Sequence, residues 1–369
     1  MRKRYSLLFQ LFFVFVLILT SSAYNDVDAQ INRRKIKKNN RRMSNYRGKK
    51  NHFSKSFQYN VIGANINSIN YFGDLAPKPS IISTNLGLTR PAIGLSYGHR
   101  FGPFYSLNAD FRYGTINGDD FKSADPLDPS AKFRYVRNLQ FRNRIKEFSV
   151  VGTFDLYKNE YSYVVRKLFT PYAYIGVAMF HHNPQAKVNA NSTLPEAGQW
   201  VDLRPLGTEG QYSNLPDTAV NFGIKPYSKI QVSIPFGIGV RFKLTDVFDL
   251  SIESGFRYLF TDYIDDVSGN YVDLVHLNSD LARELSDRSR EATSAITGEA
   301  RNQEVINATV STPQGILLPA PGGYETYGGY GREYKQNYRG FSNNKDMLIV
   351  TTIKLTFVLE GSFQKAKFR

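Results

Sequence analysis

Three observations, namely eight segments of period-two alternation, connections that are short and long in turn, and charges gathered on one face of the segments, predict an all-β fold. The architecture they predict is an eight-stranded antiparallel up-and-down transmembrane β-barrel of the outer-membrane kind, with long extracellular loops. The clearest segment is IQVSIPFGIGVRFK, Ile230 to Lys243. Ile230, Val232, Ile234, Phe236, Ile238, Val240 and Phe242 fall on one face, and Gln231, Ser233, Pro235, Gly237, Gly239, Arg241 and Lys243 on the other. It is longer than a mean soluble strand of roughly 5–6 residues and covers the ~9–11 tilted residues that cross a bilayer.

Taken in order, Met1 to about Ala29 reads as a secretory signal: Arg2, Lys3 and Arg4, an apolar core from Leu7 to Leu19, then small residues. Cleavage after Ala23 and after Ala29 both fit. Residues 30–57 form a basic arm, expected to be disordered and periplasmic, with Arg33, Arg34, Lys35, Lys37, Lys38, Arg41 and Arg42 as candidate docking residues for an acidic surface or anionic lipid. This arm holds most of the net charge of +15, and the chain beyond residue 57 is nearly neutral. The basicity therefore belongs to a tail, and an exported chain without a recognition motif is not read as a nucleic-acid binder.

Residues 58–360 are the barrel. A less regular strand near 58–68 is followed by 91–101 and 105–114, joined by the tight Gly102-Pro103. Glu147–Leu156 alternates cleanly, whereas Pro171–Phe180 is apolar on both faces and leaves its facing open. Segments 230–243, 248–260 and 348–360 complete eight, with long connections at 71–89, 115–143, 182–229 and 262–346. Tight turns at one end place both termini in the periplasm. A barrel this narrow has its lumen filled by side chains, so Arg112, Glu147, Arg241, Glu253, Arg257 and Lys354 are expected to plug it as paired charges. A lipocalin-like secreted barrel would need the opposite polarity, charge outside and an apolar pocket inside. The insertion 274–338 opens with Leu277, Leu281 and Leu285 at helical spacing, with Glu284 and Arg288 four apart, and is expected to be a partly ordered extracellular loop over the mouth. Residues 361–369 are read as a periplasmic tail.

Candidate chemistry is sparse. Cys is absent, which removes disulfides and thiolate sites. His181 and His182 are neighbours in a strand and point opposite ways. Asp262, Asp265 and Asp266 make a loose calcium-like loop without the regular oxygen ladder or closing Glu. No GxSxG, Walker loop or HExxH occurs. No enzyme, cofactor or metal is expected.

The loops carry a further signal. NYFGDL (70–75), FHHNP (180–184), PLGTEGQ (205–211), SIPFGIGVRF (233–242), FTDYIDDVSGNYVD (260–273) and RGFSNNKD (339–346) occur in that order. Together they resemble the PorG family of outer-membrane barrels, part of the type IX secretion machinery of Bacteroidota, over about residues 58 to 360. The resemblance implies a non-enzymatic component that sits among outer-membrane lipids and contacts a periplasmic ring lipoprotein and its partner. It also implies a role in protein transport and, in gliding species, motility. The residues that carry it are Tyr71, Gly73, Asp74, Asn183, Pro184, Gly207, Glu209, Asp262, Asp265, Asp266, Asn344 and Asp346. The basic arm and the 274–338 insertion are longer than the family's usual form, and the chain continues past the last strand as GSFQKAKFR, so nothing is carried over for these. The rival readings are a barrel adhesin or receptor that uses its long loops, and a barrel enzyme.

Overall fold

A computed structural model describes residues 57–75, 89–310, 317–342 and 345–359. The signal, the basic arm with Arg33 to Arg42, Asn344 and the C-terminal tail lie outside the described residues. The strands are β1 (Tyr59–Phe72), β2 (Arg90–Arg100), β3 (Tyr105–Asp119), β4 (Gln140–Asp155), β5 (Phe169–His181), β6 (Pro184–Lys187), β7 (Trp200–Asp202), β8 (Ile230–Lys243), β9 (Phe248–Leu259), β10 (Leu318–Ala320), β11 (Tyr324–Thr326) and β12 (Met347–Leu359). Four short α-helices occupy the long connections: α1 (Asp120–Ser123), α2 (Lys132–Arg137), α3 (Asp280–Ser286) and α4 (Gln303–Thr309). Hydrogen-bonded order runs β3-β2-β1-β12-β9-β8-β5-β4, and β3 pairs with β4, so eight antiparallel strands close into a barrel. Closure leaves no unpaired barrel edge, the condition for crossing hydrocarbon.

The predicted polarity holds along the membrane-facing part. Ile66, Leu95 and Ile238 are 65%, 66% and 69% exposed on the outside, while Asp110 and Arg257 are each 1% exposed within. An apolar belt of this extent on a closed barrel is a surface for lipid. In β5, whose facing the sequence left open, Tyr172, Tyr174 and Ala178 point inward and Ile175 and Met179 outward.

Toward the long connections the polarity reverses without a break in the alternation. The outward positions of β4 become Lys146, Arg144 and Arg142, and those of β1 and β3 become Ser68, Asn70, Thr115 and Asn117. The inward ones become Ile69, Ile116, Phe141, Ile145, Phe180, Leu259, Leu348 and Val350, which pack as one apolar core with Leu75, Val188, Leu203, Ile264 and Leu285. Residues 115–119 and 140–146, left outside the expected strands, are therefore strand, paired as far as Asp119 with Gln140. Their apolar face is the inner one, so the pattern of a lipid-facing strand does not reveal them. The interior is accordingly not polar throughout: a polar lower lumen lies beneath an apolar layer.

The described residues of the 274–338 insertion carry more regular structure than the helical opening predicted. They contribute α3, α4 and the β10–β11 hairpin, and the main cores of the cap run through them. The helix begins later than the leucine spacing implied, because Ser279 caps it by accepting from the Ala282 amide, 3.1 Å, which leaves Leu277 before its start. Glu284 and Arg288 do not pair. Glu284 accepts from the Ser192 hydroxyl at 2.7 Å, and Arg288 bonds Glu291 at 2.8 Å.

Near the middle of β8 the outer face meets lipid, so Ile238→Arg should destabilise the barrel by ~2–4 kcal/mol. Arg144→Ala, on the protruding part of β4, should stay within about 0.5 kcal/mol. Urea unfolding in phospholipid vesicles measures both; equal effects would refute the placement of the belt.

Candidate functional site

The lumen holds an ion-pair network. Glu147 accepts from Arg112 at 2.6 Å and lies 3.3 Å from Arg257; Lys354 sits 3.1 Å from both Asp110 and Glu253. Tyr172 donates to Glu253 at 2.8 Å. Toward the tight turns, Asp155 lies between Arg100 at 2.7 Å and Arg241 at 3.2 Å. All six charges predicted for the lumen are in it, and opposite signs alternate across the barrel. Pairing matters because a single charge left alone there would cost about 3–5 kcal/mol. A cavity of about 40 Å³ near Tyr59, Arg100, Tyr172 and Glu253 has room for a few waters. The lower lumen is a packed polar filling.

Sequence reading missed Arg166, in the turn between β4 and β5. It is buried, bonds the Asp249 carboxylate at 2.7 Å and the carbonyls of Tyr163, Thr245 and Asp246, and so ties two turns together. An isolated Arg in a polar turn carries no pattern that would have marked it.

At the other end the long connections meet in a buried polar junction. Arg339 donates to the Glu209 carboxylate at 3.1 Å, the Asp266 carbonyl at 2.6 Å and the Ser286 carbonyl at 3.3 Å. Its own carbonyl accepts from Arg137 at 2.6 Å. Arg137 holds Asp120 through two bonds, 2.7 and 2.9 Å, and the Asp74 carbonyl at 2.7 Å. Two arginines thus join all four long connections, the planar fork of each serving several acceptors at once. Arg339 stands inside one of the recognised stretches; Arg137 lies outside them all.

The motif residues converge here. Tyr71 places its hydroxyl 2.5 Å from Asp265 and 3.1 Å from Asp346. Burial first, and the neighbouring carboxylates second, lift both acids well above the ordinary carboxylate range. A side chain at Gly73 would collide with Tyr71 and Asp346, which explains the glycine. Gly207 has φ +59°, a left-handed turn beside Thr208 and Glu209. Asp266 accepts from Thr208 at 2.5 Å and Tyr227 at 2.7 Å, and Asp262 from Ser268 at 2.7 Å. Asn183 precedes β6 and Pro184 opens it at the margin of the junction, linked through the buried Asn143, which accepts from the Asn183 amide at 2.9 Å and donates to the Ile264 carbonyl at 2.6 Å.

The three aspartates of the calcium-like loop point to different partners. Among the described residues no group of three acidic or histidine side chains is arranged to hold a metal. His181 is exposed while His182 is buried, as their alternation required. The His182 ring lies 3.0 Å from the Ser228 carbonyl and stacks on Tyr227; burial lowers it to about 4, so it is neutral.

A domain family described as "Domain of unknown function (DUF6089)" matches residues 50–200. No protein of curated function matches the chain in sequence. Among solved structures it is similar to the outer membrane protein OprG from Pseudomonas aeruginosa, at 7% identity, TM-score 0.32, covering 84% of this chain and 100% of that one. It is also similar to Neisserial surface protein A, at 9% identity, TM-score 0.31, covering 81% and 96%. A third is Ail, the attachment invasion locus protein of Yersinia pestis, at 6% identity, TM-score 0.29, covering 82% and 97%. Scores this low add nothing to the barrel that its own strand pairing defines.

Burial raises Asp262 to about 7 and Asp266 to about 6, and lifts Asp265 and Asp346 well above the ordinary 3.8, with neighbouring carboxylates adding to it. In the folded cap these acids keep protons that the unfolded chain has lost. The folded state therefore binds more protons between about pH 4 and pH 7, and the cap loses stability as pH rises through that window. Amide exchange at 262–268, corrected for intrinsic rate, should show protection falling from pH 5 to pH 8, with the slope reduced in Asp262→Asn. Protection that rises with pH would contradict this.

Proposed function

We propose that this chain is a non-enzymatic outer-membrane component of the type IX secretion machinery. Its tight-turn end faces the periplasm and contacts a lipoprotein ring there. The observation that carries the reading is the convergence of sequence-distant motif loops on one buried junction above a filled lumen. Such a molecule holds surfaces in a fixed relation. This suits a part that anchors other proteins. The first residue of β1 and the last of β12 lie at the tight-turn end, since Asn60 pairs with Leu359 and Tyr59 with Arg100. The basic arm before β1 would then add electrostatic reach toward the ring.

Co-purification of the full chain from outer membranes tests the reading. It should bring down a periplasmic lipoprotein, and a deletion strain should fail to export proteins carrying the C-terminal sorting domain. Removing residues 30–55 should weaken the association in a salt-sensitive way while the barrel still folds. Normal export in the deletion strain would exclude the secretion role; an association unchanged by both deletion and salt would exclude a role for the arm.

A further inference from the structure

The glycine- and tyrosine-rich stretch YGGYGREY, 327–334, has no part in the junction or the lumen. With α2 and the end of α4 it encloses a cleft of about 400 Å³ on the cap, lined by Phe133, Thr309, Gly328 to Tyr330 and Gln336 to Tyr338. We propose that this cleft binds a neutral saccharide.

Its frame is rigid. Tyr330 is buried, donates its hydroxyl to the Phe133 carbonyl at 3.0 Å and packs edge-on against the fully buried Tyr271. Tyr338 immediately precedes Arg339, whose amide bonds the Gly269 carbonyl at 2.9 Å, so its backbone is held by the junction. Two aromatic rings in this frame nevertheless keep open area: Phe133, with the Lys132 ammonium over its ring at 5.4 Å from the centroid, and Tyr338, tilted against Phe341, are each 53% exposed. The Gln336 amide, also exposed, makes no hydrogen bond among the described residues.

The lining decides the ligand class. The lining itself contains no charged side chain, and the neighbouring Lys132 ammonium is engaged over the Phe133 ring, so an ionic ligand entering the cleft would lose water for little counter-charge. A purely apolar ligand would cover the Gln336 amide and the turn backbone at Gly328 and Gly329 without pairing them. An extended peptide is usually held by a strand edge, and the backbone along 327–331 is turn rather than strand. A sugar ring meets every condition. Its C–H face lies on the electron-rich face of an aromatic ring, and its hydroxyls donate to and accept from an amide. The cleft falls within the ~300–1,000 Å³ of small-molecule sites. This inference is independent of the secretion role.

The test uses the full chain in lauryldimethylamine oxide, because sugar-headed detergents would compete. Maltohexaose, cellohexaose and mannohexaose are titrated in turn, with saturation transfer from protein to sugar protons as the readout. At least one should bind at millimolar concentration. Tyr338→Ala and Phe133→Ala should each weaken it about tenfold. Gln336→Ala, which removes no internal bond, should weaken it with the fold intact, and Tyr161→Ala, exposed in the turn between β4 and β5 at the opposite end of the barrel, should leave it unchanged. No transfer to any of the sugars, binding retained in the Phe133→Ala/Tyr338→Ala double variant, or preference for an unstructured peptide would overturn the proposal.

Discussion

The structure depends on one constraint: backbone polar groups must be paired wherever lipid replaces water. Eight strands meet it by closing, and closure leaves each strand two faces in different solvents. The belt is apolar outside and charged inside, and the protruding ends are the reverse. The same period-two backbone serves both, and the outward sequence Phe148, Lys146, Arg144 on β4 marks where lipid gives way to water.

The two interiors solve burial differently. In the lower lumen, Arg112, Arg257 and Lys354 are interleaved with Asp110, Glu147 and Glu253, so charge is balanced within a few ångströms. Above it an apolar layer roofs the lumen and passes into the cap. In the cap the acids outnumber their arginine partners, and burial raises the affinity of Asp262, Asp265, Asp266 and Asp346 for protons. Arg137 and Arg339 direct much of their hydrogen bonding to main-chain carbonyls, which fixes loops in place more than it neutralises charge.

Much of this was readable in the residues. Alternation located all eight barrel strands, and the charges expected in the lumen are in it. The strand extensions at 115–119 and 140–146 were not readable, because a search for an apolar outer face discards strands that have left the membrane. The order of the 274–338 segment was hidden for another reason. The segment buries Leu277, just before α3, and Leu285 and Ile306 in its short helices against partners far away in sequence, and local periodicity cannot report such contacts. The junction was half visible. Its acids and glycines stood in recognisable stretches, while Arg137, Asn143 and Tyr227 become meaningful only when the loops are brought together.

The polarity reversal can be measured directly, since the chain has no cysteine to remove. Single cysteines at Ile66, Leu95, Ile238 and Arg144 would carry nitroxide labels in lipid bilayers, with access to oxygen and to a water-soluble nickel chelate compared by electron paramagnetic resonance. Labels at 66, 95 and 238 should be relaxed by oxygen and shielded from nickel, and the label at 144 should show the opposite. Nickel access at 238 together with oxygen preference at 144 would contradict the account.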